Sequence, residues 1–194
     1  LASLVFKTVS EAHLCDLSLV RVFSGHLKHG DDVANTTRGA DERIGQIYVL
    51  NGKSRAEVHG LAAGDIGAVV KLRNTHTGDT LSDRKAKIKL PPIEFPQPLH
   101  EMAVKPASKG DDEKVGLGLV RLHEEDPSFS HKVLPDIHQT VIYGQGELQF
   151  DVVVSKLKKR FGVEVSLEKP RIPYRETITT KAEVEYKHKK QTGG

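Results

Sequence analysis

Two kinds of residue in this 194-residue chain have the types and spacing that chemistry would use, and each has a plainer reading. Asn51-Gly-Lys-Ser54 supplies the glycine, lysine and hydroxyl of a phosphate-binding loop. Such a loop needs a second glycine where Ile47 stands, and a helix whose N-terminal amides face the phosphate. Arg55-Ala-Glu-Val58 follows instead, so the sequence predicts a hairpin turn. The ten histidines invite metal chemistry. His26 and His29 have no third ligand in reach, and there is no HExxH or CxxC pair, so no metal site is expected. Cys15 stands alone, without a legible nucleophile setting. Neither a GxSxG elbow nor a well-placed carboxylate pair is present, and no catalytic residue is assigned.

Cations are the remaining candidates. Lys156, Lys158, Lys159 and Arg160 cluster, and Arg84 and Lys85 begin a basic run that continues at Lys87 and Lys89. Either group would suit nucleic-acid phosphates. The first would equally complement the negative end of a helix dipole, and the second would suit a soluble edge strand.

The elements that must position these residues divide the chain in three. Across 1–91, short alternating segments are separated by Gly30-Asp31, Asn51-Gly52, Gly64-Asp65 and Gly78-Asp79. These pairs favour the positive φ of tight turns, so a small antiparallel β-barrel is predicted. Residues 92–97 are proline-rich and form a linker, predicted to leave an adjustable angle between two separately folding units. Residues 98–170 spell βαββαβ, a ferredoxin-like split βαβ and hence an α+β domain. Its first helix is expected from a capping-box-like Ser108/Asp111 start and ends before Pro127. It contains Gly116 and Gly118, which cost helix stability unless they permit close packing. Its C-terminus carries Glu124, Glu125 and Asp126, where the dipole disfavours acids. The second helix opens at Gly146-Glu147 and closes at Gly162, with Phe150, Val153 or Val154, Leu157 and Phe161 along one face. Residues 171–194 are polar and extended. Val184 and Tyr186 suggest a strand of an incomplete domain, poorly ordered from about Tyr174.

Hydrophobic residues make up 37% of the chain, and no apolar run reaches the ~18 residues of a membrane span. The single cysteine excludes an internal disulfide and fits the cytosol. A net charge of +3, with no strongly basic block, does not announce a nucleic-acid binder.

Several ordered motifs carry a family resemblance. Arg121-Leu-His-Glu-Glu-Asp-Pro-Ser-Phe129, the run from Tyr143 to Gly162 and Lys169-Pro-Arg-Ile-Pro-Tyr-Arg-Glu-Thr-Ile178 resemble the third domain of elongation factor G, a translational GTPase, running into its fourth. The opening Leu4-Val-Phe-Lys7, Asn35-Thr-Thr37, Ala63–Val70 and Thr77–Leu81 resemble its second domain. The resemblance implies the middle of a larger machine, a monomer in the cytoplasm that promotes tRNA and mRNA translocation. A tetracycline-resistance-type ribosomal protection protein is the alternative parent. The resemblance also implies contacts with small-subunit ribosomal RNA, ribosomal protein S12 and the parent's own GTPase domain, where GTP and Mg2+ would bind. No cofactor is expected in residues 1–194. By position, Gly144, Gly146, Glu147, Gln149 and Lys156 would face the GTPase switch region and line the fusidic acid pocket. The family usually has His at 149 and commonly Arg at 156. Lys158, Lys159, Arg160, Arg84 and Lys85 become candidate ribosome contacts.

Overall fold

A computed structural model describes residues 1–11, 14–70 and 72–188, without the side chains of Glu11, Leu14 and Cys15. The environment of Cys15 and the terminal run from 189 to 194, including Lys190 and Gln191-Thr-Gly-Gly194, lie outside the described residues.

Among the described residues, the first unit contains ten strands. They are β1 (Ala2–Glu11), β2 (Leu14–Ser24), β3 (His26–Lys28), β4 (Asp32–Asn35) and β5 (Ala40–Arg43), then β6 (Ile47–Asn51), β7 (Ser54–Val58), β8 (Gly60–Ala62), β9 (Ile66–Val70) and β10 (Thr80–Ser82). Eight form one sheet in the order β5-β4-β10-β1-β2-β9-β6-β7, and β3 pairs with β8; all pairs are antiparallel. The strands curl around one core that gathers Val5, Val20, Val22, Leu27, Val33, Ile44, Ile47, Leu61, Val69 and Leu81. This is the predicted barrel.

Its turns follow the sequence logic closely. Gly30, Gly64 and Gly78 all have positive φ, and the aspartate after each accepts a hydrogen bond from the amide three residues earlier: Asp31 from Lys28, Asp65 from Ala62 and Asp79 from His76. Asn51 pairs with Ser54 across a turn with Gly52 at φ 57°, so the phosphate-loop look-alike is a hairpin. Simple alternation fails in β1, where a bulge between Val5 and Lys7 resets the faces and buries Thr8 with Val5.

Between β10 and the second unit the chain is not a strand, contrary to the edge-strand reading of the basic run at 84–89. The amides of Ile88 and Leu90 donate to the hydroxyls of Ser82 and Thr80, so side chains hold the segment where a ladder would have been.

The second unit contains β11 (His100–Pro106), α1 (Asp112–Glu125), β12 (Ser130–Leu134), β13 (Gln139–Gly144), α2 (Glu147–Lys156) and β14 (Val165–Glu168). The sheet order β12-β13-β11-β14 is that of the split βαβ. Val104 and Ile142 on the sheet meet Val115, Leu119 and Leu122 of α1 and Phe150, Val153 and Leu157 of the second helix in one core. The helical period therefore prevails over the β-propensity of Val152-Val-Val154. After Lys156 the helix widens into a π-type turn, Leu157–Phe161, and Gly162 ends it at φ 66°.

The start of α1 differs from the expected capping box. Asp111 is the N-cap, but its backbone is already helical and its carboxylate turns to Lys114 at 3.2 Å, so it does not cap through its side chain. The two glycines of α1 also part ways. A Cβ on Gly118 would lie 2.6 Å from Leu157 Cδ2 and 3.3 Å from the Phe161 ring, so the helices can approach only because it is glycine. A Cβ on Gly116 meets nothing within 4 Å.

Beyond Glu168 the described residues contain no helix or strand, and Ile172, Tyr174, Ile178, Val184 and Tyr186 are exposed. The strand suggested around Val184 and Tyr186 is not formed here. A strand needs a neighbour for its backbone groups, and the described chain offers none at this position.

Candidate functional site

The residues singled out by sequence meet at two linked places: the loop that leads into α2, and the C-terminal end of α1. β13 delivers Gly144 to the loop, and a Cβ there would lie 2.5 Å from Gln149 Oε1 and 2.7 Å from the Phe150 ring. That space is taken because the loop folds back on its own helix. Gln149 Oε1 accepts the Gln145 amide at 2.7 Å, and its Nε2 donates to Asp126 at 2.8 Å and to the Ser128 hydroxyl at 3.0 Å. Gln149 thus joins the loop before α2 to the Asp126-Pro127-Ser128 turn after α1. Beneath it, the His100 imidazole stacks on Phe150 with ring centroids 5.4 Å apart. The Gln145 side chain reaches back to the linker, donating to the carbonyls of Pro96 at 3.3 Å and Gln97 at 3.0 Å. Glu147 and Leu148 stand exposed at the front of α2.

The acidic end of α1 explains its own misfit with the helix dipole. Glu125 is only 6% exposed. Its carboxylate accepts the Ser10 amide at 2.9 Å, Arg160 at 2.7 Å and Lys156 at 3.1 Å. Burial pushes its pKa up, but Arg160, the Ser10 amide and Lys156 outweigh this and hold it below the ordinary glutamate value. Asp126 is likewise held low: burial raises it, and the bonds from Ser128 and Gln149 more than reverse that.

Ser10 belongs to the barrel, so Glu125 bridges the two units. Other barrel groups join it. Lys7 Nζ donates to the Glu125 carbonyl at 3.0 Å, and Thr77 Oγ1 donates to the Glu124 carbonyl at 3.1 Å. The His76 imidazole contacts the Glu124 carboxylate, and an Arg160 guanidinium nitrogen donates to the Ser10 carbonyl. The proline-rich connection is therefore backed by a second, non-covalent tie.

This geometry separates the sequence-predicted cations. Lys156 folds onto Glu125, and Arg160 onto both Glu125 and the barrel. Lys158 pairs with Glu164 at 2.7 Å on the exposed side, beside exposed Lys159. Arg84 pairs with Asp41 at 3.2 Å, lying 3.9 Å from Asp32, at a recess of the barrel that the helix-end cations do not line. Lys85 is exposed. Sequence reasoning missed Lys7, Ser10, His76 and Thr77 as partners of α1. The legible signal was the acidic run at a helix C-terminus, since adverse dipole contacts need an external partner. Among the described residues no group of three His, Cys, Asp or Glu side chains gathers as for a metal ion, and no helix is long and apolar enough to cross a membrane.

Comparison with known proteins places these features in a family. The model described as "Elongation factor G domain 2" matches residues 1–84, and that described as "Elongation Factor G, domain III" matches residues 95–169. The chain is 43% identical over 193 residues to proteins named elongation factor G from Cereibacter sphaeroides and Paracoccus denitrificans. The alignment covers 100% of this chain and 27% of those relatives, so the chain spans about a quarter of their length. A crystal structure of a Thermus thermophilus protein is similar with a TM-score of 0.78 at 29% identity, over 90% of this chain and 26% of that one.

Proposed function

This chain belongs to the elongation factor G family, as a segment of a translation elongation factor, and we propose that it is the ribosome-binding middle of a GTPase that promotes tRNA and mRNA translocation. The observation that carries this reading is the succession of the family's second and third domains in one chain, with 43% identity over 193 residues. In this reading the loop into α2, with buried Gly144, half-buried Gly146 and Gln149, and exposed Glu147, faces the switch region of the parent's GTPase domain. Lys156 stands behind that surface, holding Glu125. GTP and Mg2+ are held by that other domain. The Gly52-Lys53-Ser54 tripeptide is not a phosphate loop, because it turns a hairpin with no helix behind it.

The partners are small-subunit ribosomal RNA and ribosomal protein S12, met in the cytoplasm by a monomer. Lys158 and Lys159 are the helix-end cations not held by Glu125, with Arg84 and Lys85 as a second patch. Co-sedimentation of the chain with 30S subunits across a salt series tests this. Binding should be weak and salt-sensitive, and Lys158→Glu with Lys159→Glu should flatten the salt slope by about one unit per lost phosphate contact. Absence of salt-dependent binding, or a slope unmoved by the double variant, would count against the ribosome contact.

A further inference from the structure

We propose that the acidic end of α1 transmits the orientation of the barrel to the loop ahead of α2, with Asp126 and Gln149 as positioning residues for that loop. The functional sense of this coupling rests on the preceding reading, in which the loop meets the GTPase domain. The coupling itself is a property of this chain alone.

Two attachments join the loop to the barrel, and they arrive from opposite sides. One is covalent. Gln145 holds the carbonyls of Pro96 and Gln97, and the Leu99 amide donates to the Gly144 carbonyl at 2.9 Å, so the end of the linker is fastened to the loop. The other is ionic. Lys7, Ser10, His76 and Thr77 of the barrel hold Glu124 and Glu125, and the next residue, Asp126, holds Gln149, which holds the Gln145 amide. Adjacent Cα atoms are a fixed ~3.8 Å apart, so Glu125 cannot follow the barrel without moving Asp126. The result is a closed circuit: barrel, α1 end, loop, linker, barrel.

Rotation of the barrel against the sandwich must break a link of this circuit or move the loop. The loop has little slack, since Gly144 already lies against Gln149 and Phe150 without a side chain. The barrel links are few and polar, and Arg160, which makes one of them, is 24% exposed, so they can exchange for water as a buried apolar contact cannot. Energetic coupling needs a contiguous physical network, and its effect is reciprocal between the two ends.

Both ends can be read on the full chain without ribosome or nucleotide. A Cys15→Ser background carrying spin labels at exposed Lys53 and Lys109 reports the barrel-to-sandwich distance, and amide exchange at Gln145 reports the loop. Lys7→Met with Thr77→Val removes barrel groups that do not touch the loop. It should broaden the distance distribution and speed exchange at Gln145 roughly tenfold, the scale of one lost charge-assisted hydrogen bond. Gln149→Leu cuts the circuit from the other end, and by reciprocity it should broaden the same distances. Broadened distances with unchanged exchange at Gln145, or distances unmoved by both variants, would overturn the coupling. The ribosome experiment is independent of either result.

Discussion

The carboxylate of Glu125 accepts the backbone amide of Ser10 at 2.9 Å across 115 positions of sequence. One bond thus joins the last turn of a helix in the second unit to the first strand of the first unit. Arg160 reinforces it by bonding both the Glu125 carboxylate and the Ser10 carbonyl. A two-domain chain with only a proline-rich linker would be free to reorient. This one carries a hydrogen-bonded joint whose central charge, Glu125, is almost fully buried.

Neutralising that charge should be costly. Glu125→Gln keeps an acceptor for Ser10 but leaves Arg160 and Lys156 facing a neutral amide. The expected loss is about 1.5–3 kcal/mol, the range for hydrogen bonds to charged groups. Urea unfolding compares wild type with the variant. A loss under about 0.5 kcal/mol would place Glu125 among surface pairs of little consequence.

The same joint should make stability fall with acid. Glu125 and Asp126 both have folded pKa values below their ordinary ones of 4.5 and 3.8. A depressed carboxylate contributes stability that is fully present above its unfolded pKa and is lost as pH falls through the folded value. The melting temperature should therefore hold from neutrality to about pH 5 and drop below about pH 4.5, with the folded values setting the lower end. The drop should be shallower in Glu125→Gln with Asp126→Asn. Parallel pH profiles for the two proteins would show that other groups govern acid unfolding.

Gly116 and Gly118, two positions apart in one helix, should respond oppositely to alanine. Gly116→Ala adds a methyl group into open space, and should stabilise by up to about 1 kcal/mol through helix propensity. Gly118→Ala gains the same propensity but drives a methyl to 2.6 Å from Leu157, and overpacking costs about 1–3 kcal/mol. The second change should be net destabilising. Thermal unfolding of the two variants decides it, and equal shifts would mean that the α1–α2 contact yields easily.

Why one glycine was legible and the other was not shows where sequence reading stops. The cost of glycine in a helix is local, so both positions were marked, but the compensation depends on which face meets Leu157 and Phe161. Turn chemistry travelled well: Gly-Asp at 30, 64 and 78 sets φ and accepts a neighbouring amide, both within four residues. The split βαβ was equally legible, because Phe150, Val153 and Leu157 keep one period against Gly146 and Gly162 at the ends. The joint was not. Ser10 and Thr77 give no sign of a partner more than forty residues away, and only the adverse placement of Glu124-Glu125-Asp126 hinted that one exists. The bulge in β1 was hidden for a similar reason, since register is settled by β2 and not by β1 itself.

Position 149 gives the last expectation. Gln149 accepts the Gln145 amide with its oxygen and donates to Asp126 and Ser128 with its nitrogen, and an amide does this at any ordinary pH. A neutral histidine can accept through one ring nitrogen and donate through the other. A protonated one only donates, so it would lose the Gln145 link while strengthening the one to Asp126. Gln149→His should therefore make the loop pH-sensitive where wild type is not. Exchange at the Gln145 amide, corrected for intrinsic rates, should be level between about pH 7.5 and 5.5 in wild type. In the variant it should rise severalfold as pH falls through the histidine titration, because the acceptor disappears. A flat profile in the variant would mean that the Gln145 amide draws its protection from elsewhere in the loop, and that Gln149 is not what holds it.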